Sequence, residues 1–432
     1  MSGHHHPGGP VLCWDVLREI ALAAPRPTCA TLMRTCRTFY TSPAIARAAL
    51  HDEVALTDST NVYRFLDFLE ASPDGGGRFP FLRNLSIRMR RLKPSAGAMR
   101  RMVEGVPRMT GLVVLSIHHA DQTLKTWGPV FVDALAALTS LRRLTLHGGG
   151  PVMAQLLSAL SNANRLVALD VDWTVTVGPG RNDFFHSLPR LSEDAWRSMH
   201  PVPFLRGCAS TLEELSCARW HTCPGTPAPL YAQVYPKMRR LQIEWDDHLV
   251  VAHYIRAFPN IASLHLWTGH EVVYDHLDDD ARIQRIHALR DANTHQLGGA
   301  SSKSYWPHLE TYTGSLTHLY ILSLTCRIPI IRFDEEITSD AHLPMLMDVL
   351  SRAQPVHLKF KFHAQSTVLD RPAHSSLASI LQNAECAARL ESLAVDMTLT
   401  RRVDRDVDVD GRLVSSVPSL HASALQLTVL RL

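Results

Sequence analysis

One phrase, apolar-x-x-Leu-x-apolar, recurs from residue 80 onward and limits the possible folds more than any other feature of the chain. Its second half alternates apolar and polar residues, as a half-buried strand does. The copies are LRNLSI (82–87), LVVLSI (112–117), LRRLTL (141–146), LVALDV (166–171), LEELSC (212–217), MRRLQI (238–243), IASLHL (261–266), LESLAV (390–395) and LTVLRL (427–432). Helical patterns between them, at 129–138, 151–160 and 250–258, predict a strand followed by a helix in each unit.

Most neighbouring copies begin about 23 to 30 residues apart, in or near the range of leucine-rich repeats. The predicted fold class is therefore α/β: an irregular leucine-rich-repeat-like solenoid over residues 80–432. Two wider gaps are attributed to a surface insertion at 175–191 and to an additional helix at 281–293. The main rival is a doubly wound nucleotide-binding sheet, which needs a glycine-rich turn after its first strand. The one candidate turn, HGGGP at 147–151, lacks the required G-x-G-x-x-G spacing.

A short helical unit precedes the repeats. The pattern of residues 11–24 predicts a helix that Pro25 ends, and 31–40 predicts a second. A third helix is expected to start at Ser42 and Pro43, with the serine oxygen as its cap. Apolar residues on one stripe of the first helix are Leu12, Val16, Leu17 and Ile20.

This unit resembles the F-box. The family pattern Leu-Pro-x-Glu-Val-Leu-x-x-Ile is matched by LCWDVLREI at 12–20, and its Val-Cys-Arg-x-Phe/Trp segment by LMRTCRTFY at 32–40. Cys13 stands where the family has proline, and the loop at 25–27 is richer in proline than usual. The repeat region is in turn similar to the irregular leucine-rich-repeat-like regions that follow the F-box in many fungal proteins.

The resemblance implies a substrate receptor of a cullin-based ubiquitin ligase, which binds a protein substrate and docks on a Skp-type adaptor. It places Leu12, Val16, Leu17 and Ile20 near the adaptor. The alternative is a ligase-independent scaffold whose N-terminal helices only cap the first repeat, since the open end of a solenoid exposes core. The expected organisation is a flexible leader (1–10), an F-box-like domain (11–55), a connecting segment (56–79) and the repeats (80–432).

In such a repeat the outward residues of the strands form a ladder on the concave face, the usual surface for a protein ligand. Exposed tryptophan and arginine are the residue types that most often carry interface energy. The candidate substrate-binding residues are Arg88, His118, His147, Asp172, Glu244 and Trp267.

Other functions are not expected. With 44 basic and 41 acidic side chains the chain has no sequence-wide basic footprint for nucleic acid, and it has no apolar run long enough to span a membrane. Eight scattered cysteines suit free thiols in the cytoplasm or nucleus. We predict no enzyme, cofactor or metal site, since recognised catalytic motifs are missing, Asp406–Gly411 completes no calcium loop, and Cys208, Cys217, His221 and Cys223 have irregular spacing for zinc.

Overall fold

The computed structural model describes residues 13–35, 37–71, 77–88, 94–163, 165–175, 182–183, 199–220, 231–245, 251–268, 279–298, 306–337, 342–363, 389–398 and 426–429. The chain divides into two compact units: the first unit comprises 1–170 and 174–184, and the second unit 171–173 and 185–432. The expected leader at 1–10 lies outside the described residues. Among the described residues, no helix has both the length and the apolar character needed to cross a membrane.

Short helices open the first unit. They are α1 (Trp14–Ala23), α2 (Arg26–Thr35), α3 (Arg37–Thr41) and α4 (Pro43–Ala49). α2 begins earlier than expected, because Pro27 in a first turn loses no hydrogen bond. The expected side-chain cap at Ser42 is wrong: no such bond forms, and its carbonyl oxygen accepts instead from the Ala46 amide at 3.0 Å. The fixed φ of Pro43 and this backbone bond start α4.

Strands and helices then alternate through the first unit. In chain order they are β1 (Glu53–Leu56), α5 (Ser59–Glu70), β2 (Asn84–Ile87), α6 (Ala96–Gly105), β3 (Val114–His118), α7 (Ala120–Trp127), α8 (Pro129–Ala136), β4 (Arg143–His147), α9 (Pro151–Ala163) and β5 (Ala168–Asp172). The last two residues of β5 belong to the second unit. Single 3-10 turns lie at Phe79–Phe81 and Val106–Arg108. An antiparallel pair, β6 (Thr174–Val175) and β7 (Asn182–Asp183), falls in the expected insertion.

The strand order β1-β2-β3-β4-β5 follows the chain order. β1 to β4 are parallel, and their register places Leu85, Leu115 and Leu144 side by side in the core. Because crossovers between parallel strands are right-handed, an order that never reverses puts the connecting helices on one face of the sheet. β1 and α5 extend this alternation upstream of residue 80: α5 lies in the expected connecting segment, and β1 overlaps the end of the expected F-box-like domain.

Arg78 fastens the N-terminal helices to α5 and is only 3% exposed. Its guanidinium donates to the carbonyl of Phe68 at 3.1 Å and to the carbonyl of Tyr40. Both carbonyls belong to the last turn of a helix, where no intrahelical amide is left to bind them. The guanidinium carbon also lies 4.3 Å from the ring centroid of each of these two residues. Burial lowers the pKa of Arg78, and Tyr40 opposes that shift.

We expect Arg78→Met to lower the free energy of unfolding of the first unit by about 2 kcal/mol, because it leaves two part-buried helix-end carbonyls without their charged donor. Urea unfolding followed by circular dichroism measures the loss. Arg108→Met is the matched control: Arg108 also lies over a ring, 4.2 Å from the Phe79 centroid, but is exposed. Equal losses in the two variants would contradict the capping role of Arg78.

The second unit continues the same alternation. Its elements are α10 (Pro201–Phe204), β8 (Glu214–Ala218), β9 (Arg240–Trp245), α11 (Val251–Ala257), β10 (Ser263–Thr268), α12 (Asp279–Gly298), β11 (Thr311–Gly314), α13 (Leu316–Leu322), β12 (Ile330–Ile337), α14 (His342–Ala353), β13 (His357–His363), β14 (Ser392–Thr398) and β15 (Gln426–Val429). A 3-10 turn lies at Arg206–Cys208. The strands are parallel and ordered from β8 to β15 as in the chain. α12 is the additional helix that the sequence predicts.

Candidate binding surfaces

The first candidate surface is the outer stripe of α1. Val16 is 45% exposed and Ile20 48% exposed, and a spacing of four residues makes them neighbours on one helix face. Leu17 is half-buried and packs with buried Ala21 against the core of the N-terminal helices. The predicted adaptor-binding set is therefore divided: two residues face outward, Leu17 supports the core, and Leu12 lies outside the described residues.

The second candidate surface is the polar face of the first unit's sheet. Residues at the carboxyl ends of β3 and β4 are in register, so that His118 lies beside His147, their rings meeting edge to face at 5.2 Å. Arg88 directly follows β2 and is exposed. Ser86, one step earlier in β2, is fully buried, since the Arg88 side chain folds back and donates to its Oγ at 2.9 Å.

Charges on this face pair with one another across strands. Arg88 donates to Glu53 of β1 at 2.7 Å, and His147 Nε2 lies 3.2 Å from Asp170 Oδ2 of β5. Burial lowers the pKa of His118, and the positive charges of His147 and Arg88 lower it further. His118 is therefore mostly neutral at pH 7, and its imidazole offers a ligand hydrogen bonds and ring contacts rather than a positive charge.

In the second unit the ladder residues differ in accessibility. Trp267 is half-buried, with its ring 5.3 Å from that of His265, which in turn lies 3.5 Å from Asp334. Glu244 was expected to face a ligand, but its side chain is only 11% exposed and lies 3.8 Å from Arg219. Little of the Glu244 carboxylate is open to a ligand, and its place in the predicted substrate-binding set stays a prediction. Asp172 is half-buried at the end of β5.

Salt bridges between neighbouring strands decide which charged groups the polar faces can offer to a ligand. Further cross-strand pairs join Arg240 to Glu214 at 3.1 Å and Lys359 to Asp396 at 2.8 Å. Exposed pairs of this kind are worth about 0–1 kcal/mol each, so an incoming ligand can exchange them at small cost. Such a face suits a protein ligand of mixed charge.

The candidate zinc ligands and the acidic loop lie only partly in the described residues. Cys208 and Cys217 are buried free thiols, whereas His221, Cys223 and the 406–411 loop lie outside the described residues. No group of three potential metal ligands occurs in the described part of the chain. At the glycine-rich turn, the amides that open α9 are bound by the carboxylate of Asp121, where a nucleotide-binding protein would place a phosphate.

Sequence reasoning missed Arg78 and Asp121, because each acts on helix ends remote in sequence. Arg78 binds a carbonyl 38 residues away, and Asp121 binds amides 31 and 32 residues away. The sequence carries a local signal only for Asp121. Gly150 directly precedes α9, and a side chain at that position would collide with the Asp121 carboxylate.

The sequence was compared with models of known protein families and with curated proteins. No family model matches it, and no curated protein matches it at a significant level. Function is therefore inferred from the two candidate surfaces and from the order of strands and helices behind them.

Proposed function

We propose that this protein is a non-catalytic substrate receptor of a cullin-based ubiquitin ligase, which docks on a Skp-type adaptor through α1 and holds a protein substrate on its repeats. The observation that carries the proposal is the exposed pair Val16 and Ile20, in the segment that resembles the F-box. Two large apolar side chains adjacent on one helix face are costly to leave in water, and a partner surface removes that cost.

The repeats supply the second half of the proposed function. In each unit the strand order follows the chain, as stacking of successive repeats in a leucine-rich-repeat-like solenoid requires. The polar strand faces, with Trp267 and the His118–His147 pair, then form the substrate-binding surface. Buried free thiols such as Cys29 and Cys326 suit the reducing cytoplasm or nucleus, where such ligases work.

The adaptor contact is tested with the double variant Val16→Glu/Ile20→Glu, titrated as the full chain against a Skp-type adaptor by calorimetry. We expect affinity to fall about 100-fold, because two buried apolar contacts are each replaced by a charge. Leu17 is left unchanged, since it supports the core. Val130→Glu is the matched control: Val130 lies on α8, is 63% exposed, and its change should leave the affinity unaltered.

An adaptor that binds the double variant as tightly as the parent chain would refute the α1 contact. If the folded parent chain does not bind any Skp-type adaptor, the ligase function is wrong.

The second candidate function, a ligase-independent repeat scaffold, has one observation in its favour. The N-terminal helices pack on their own unit, with Phe68 and Phe81 against their core and Arg78 fastening them to α5. They therefore cover apolar surface of the chain itself, as a solenoid cap does. In this scaffold the double variant would behave as the parent chain in every binding assay.

A further inference from the structure

A cavity of about 390 Å³ lies in the first unit between the N-terminal helices and the first strand and helix of the sheet. Its volume falls within the range of roughly 300–1,000 Å³ typical of small-molecule sites. Apolar side chains form most of the wall, among them Met33 of α2, Leu56 of β1, and Phe65 and Phe68 of α5. Such a wall favours a ligand with an apolar body.

Two arginines give the cavity its charge. Arg34, in the last turn of α2, and Arg64, on α5, both line it, and both are exposed. Within the described part of the chain, neither forms a salt bridge. Carboxylates close to Arg64 in the sequence bind other groups: Asp58 caps α5 and accepts from the amide and the side chain of Asn61 at 2.8 Å and 2.7 Å, and Asp67 pairs with Arg101 at 2.7 Å.

We propose that this cavity binds an organic anion with an apolar body, of the class of medium-chain fatty carboxylates. The apolar part lies against Met33 and the two phenylalanines, and the anionic group meets Arg34 and Arg64. Planar guanidinium groups suit a carboxylate, because each can donate two parallel hydrogen bonds to it. The inference does not depend on the ligase function, since the cavity and the exposed stripe of α1 involve different residues.

The probe is 8-anilinonaphthalene-1-sulfonate, an aromatic sulfonate whose fluorescence rises in an apolar site. The full chain should bind one molecule, and decanoate should displace it at least about tenfold more effectively than decanol, because only decanoate carries the anion. Arg34→Gln/Arg64→Gln should weaken binding about tenfold. The matched control, Arg206→Gln/Arg256→Gln, changes two exposed arginines of the second unit and should have no effect.

A second variant tests the location of the site. Ala30 lines the cavity from an exposed position of α2, so Ala30→Trp fills the opening without altering the core, and it should abolish binding of the probe. Circular dichroism and the melting temperature confirm that each variant is folded. The proposal is overturned if the parent chain shows no saturable one-to-one binding, if Ala30→Trp binds normally, or if decanol competes as well as decanoate.

Discussion

Between pH 8 and pH 5 the second unit should lose at least about 4 kcal/mol of its free energy of unfolding. The cause is a set of histidines that are buried in the neutral form. Burial lowers the pKa of His253 to about 4 and that of His318 to about 3, from an ordinary value of 6.5. His200 is also buried, which lowers its pKa well below 6.5, with His253 adding to the shift.

The direction of the pH dependence follows from which state, folded or unfolded, binds more protons. Below pH 6.5 the unfolded chain protonates these rings, while the folded chain keeps His253 and His318 neutral down to about pH 4 and about pH 3. The unfolded state therefore binds more protons, and stability falls as the pH falls. At pH 5 each of the two rings costs about 2 kcal/mol, a large share of the 5–15 kcal/mol typical of a domain.

The measurement is hydrogen exchange of α11 and α13 across this pH range, corrected for the intrinsic exchange rate. His253→Phe is the informative variant, because His253 lies among rings, 5.6 Å from His200 and 5.0 Å from Tyr231, and its Nδ1 has no hydrogen-bond partner within the described chain. The variant should lose about 2 kcal/mol of the pH dependence, which is the share of His253 itself. His295→Phe, at an exposed position of α12, is the control and should retain it. A pH-independent parent chain would refute the assignment.

The strands were the most predictable part of the fold. The repeated phrase located β2, β3 and β4, and its alternation named the buried leucines correctly, because a half-buried strand imposes a period of two. β1 was missed: Glu53–Leu56 is only four residues long and follows a helix with no turn signal between them. Its partner in the sheet, β2, begins at Asn84, and pairing over that distance leaves no local pattern.

The surfaces were less predictable than the strands. Alternation placed His147 on the polar face, but its pairing with Asp170 depends on how two strands align side by side. The low exposure of Glu244 was equally unpredictable, because Arg219, which lies beside it, directly follows the neighbouring strand β8. On α1, the helical period grouped Val16 and Leu17 on one broad stripe, and packing of α2 and α4 against that helix leaves Val16 facing outward. The functions proposed for the two candidate surfaces stay predictions.

We expect Asp121→Ala to lower the free energy of unfolding of the first unit by about 3 kcal/mol. Asp121 is buried, and its Oδ1 accepts from the amides of Val152 at 2.8 Å and Met153 at 3.3 Å, at the start of α9. Removal of the carboxylate leaves two amides without an acceptor and also removes a negative charge from the positive end of a thirteen-residue helix.

Urea unfolding of the full chain and hydrogen exchange of the α9 amides measure this loss. Asp121→Asn retains an acceptor oxygen and should cost only about 1 kcal/mol, since asparagine caps helices about as well as aspartate does. Lys125→Met removes the ammonium group 2.5 Å from the other carboxylate oxygen and, because that lysine is exposed, should cost less than about 1 kcal/mol. Equal losses for the alanine and asparagine variants would show that Asp121 acts through its charge and not as an acceptor of hydrogen bonds.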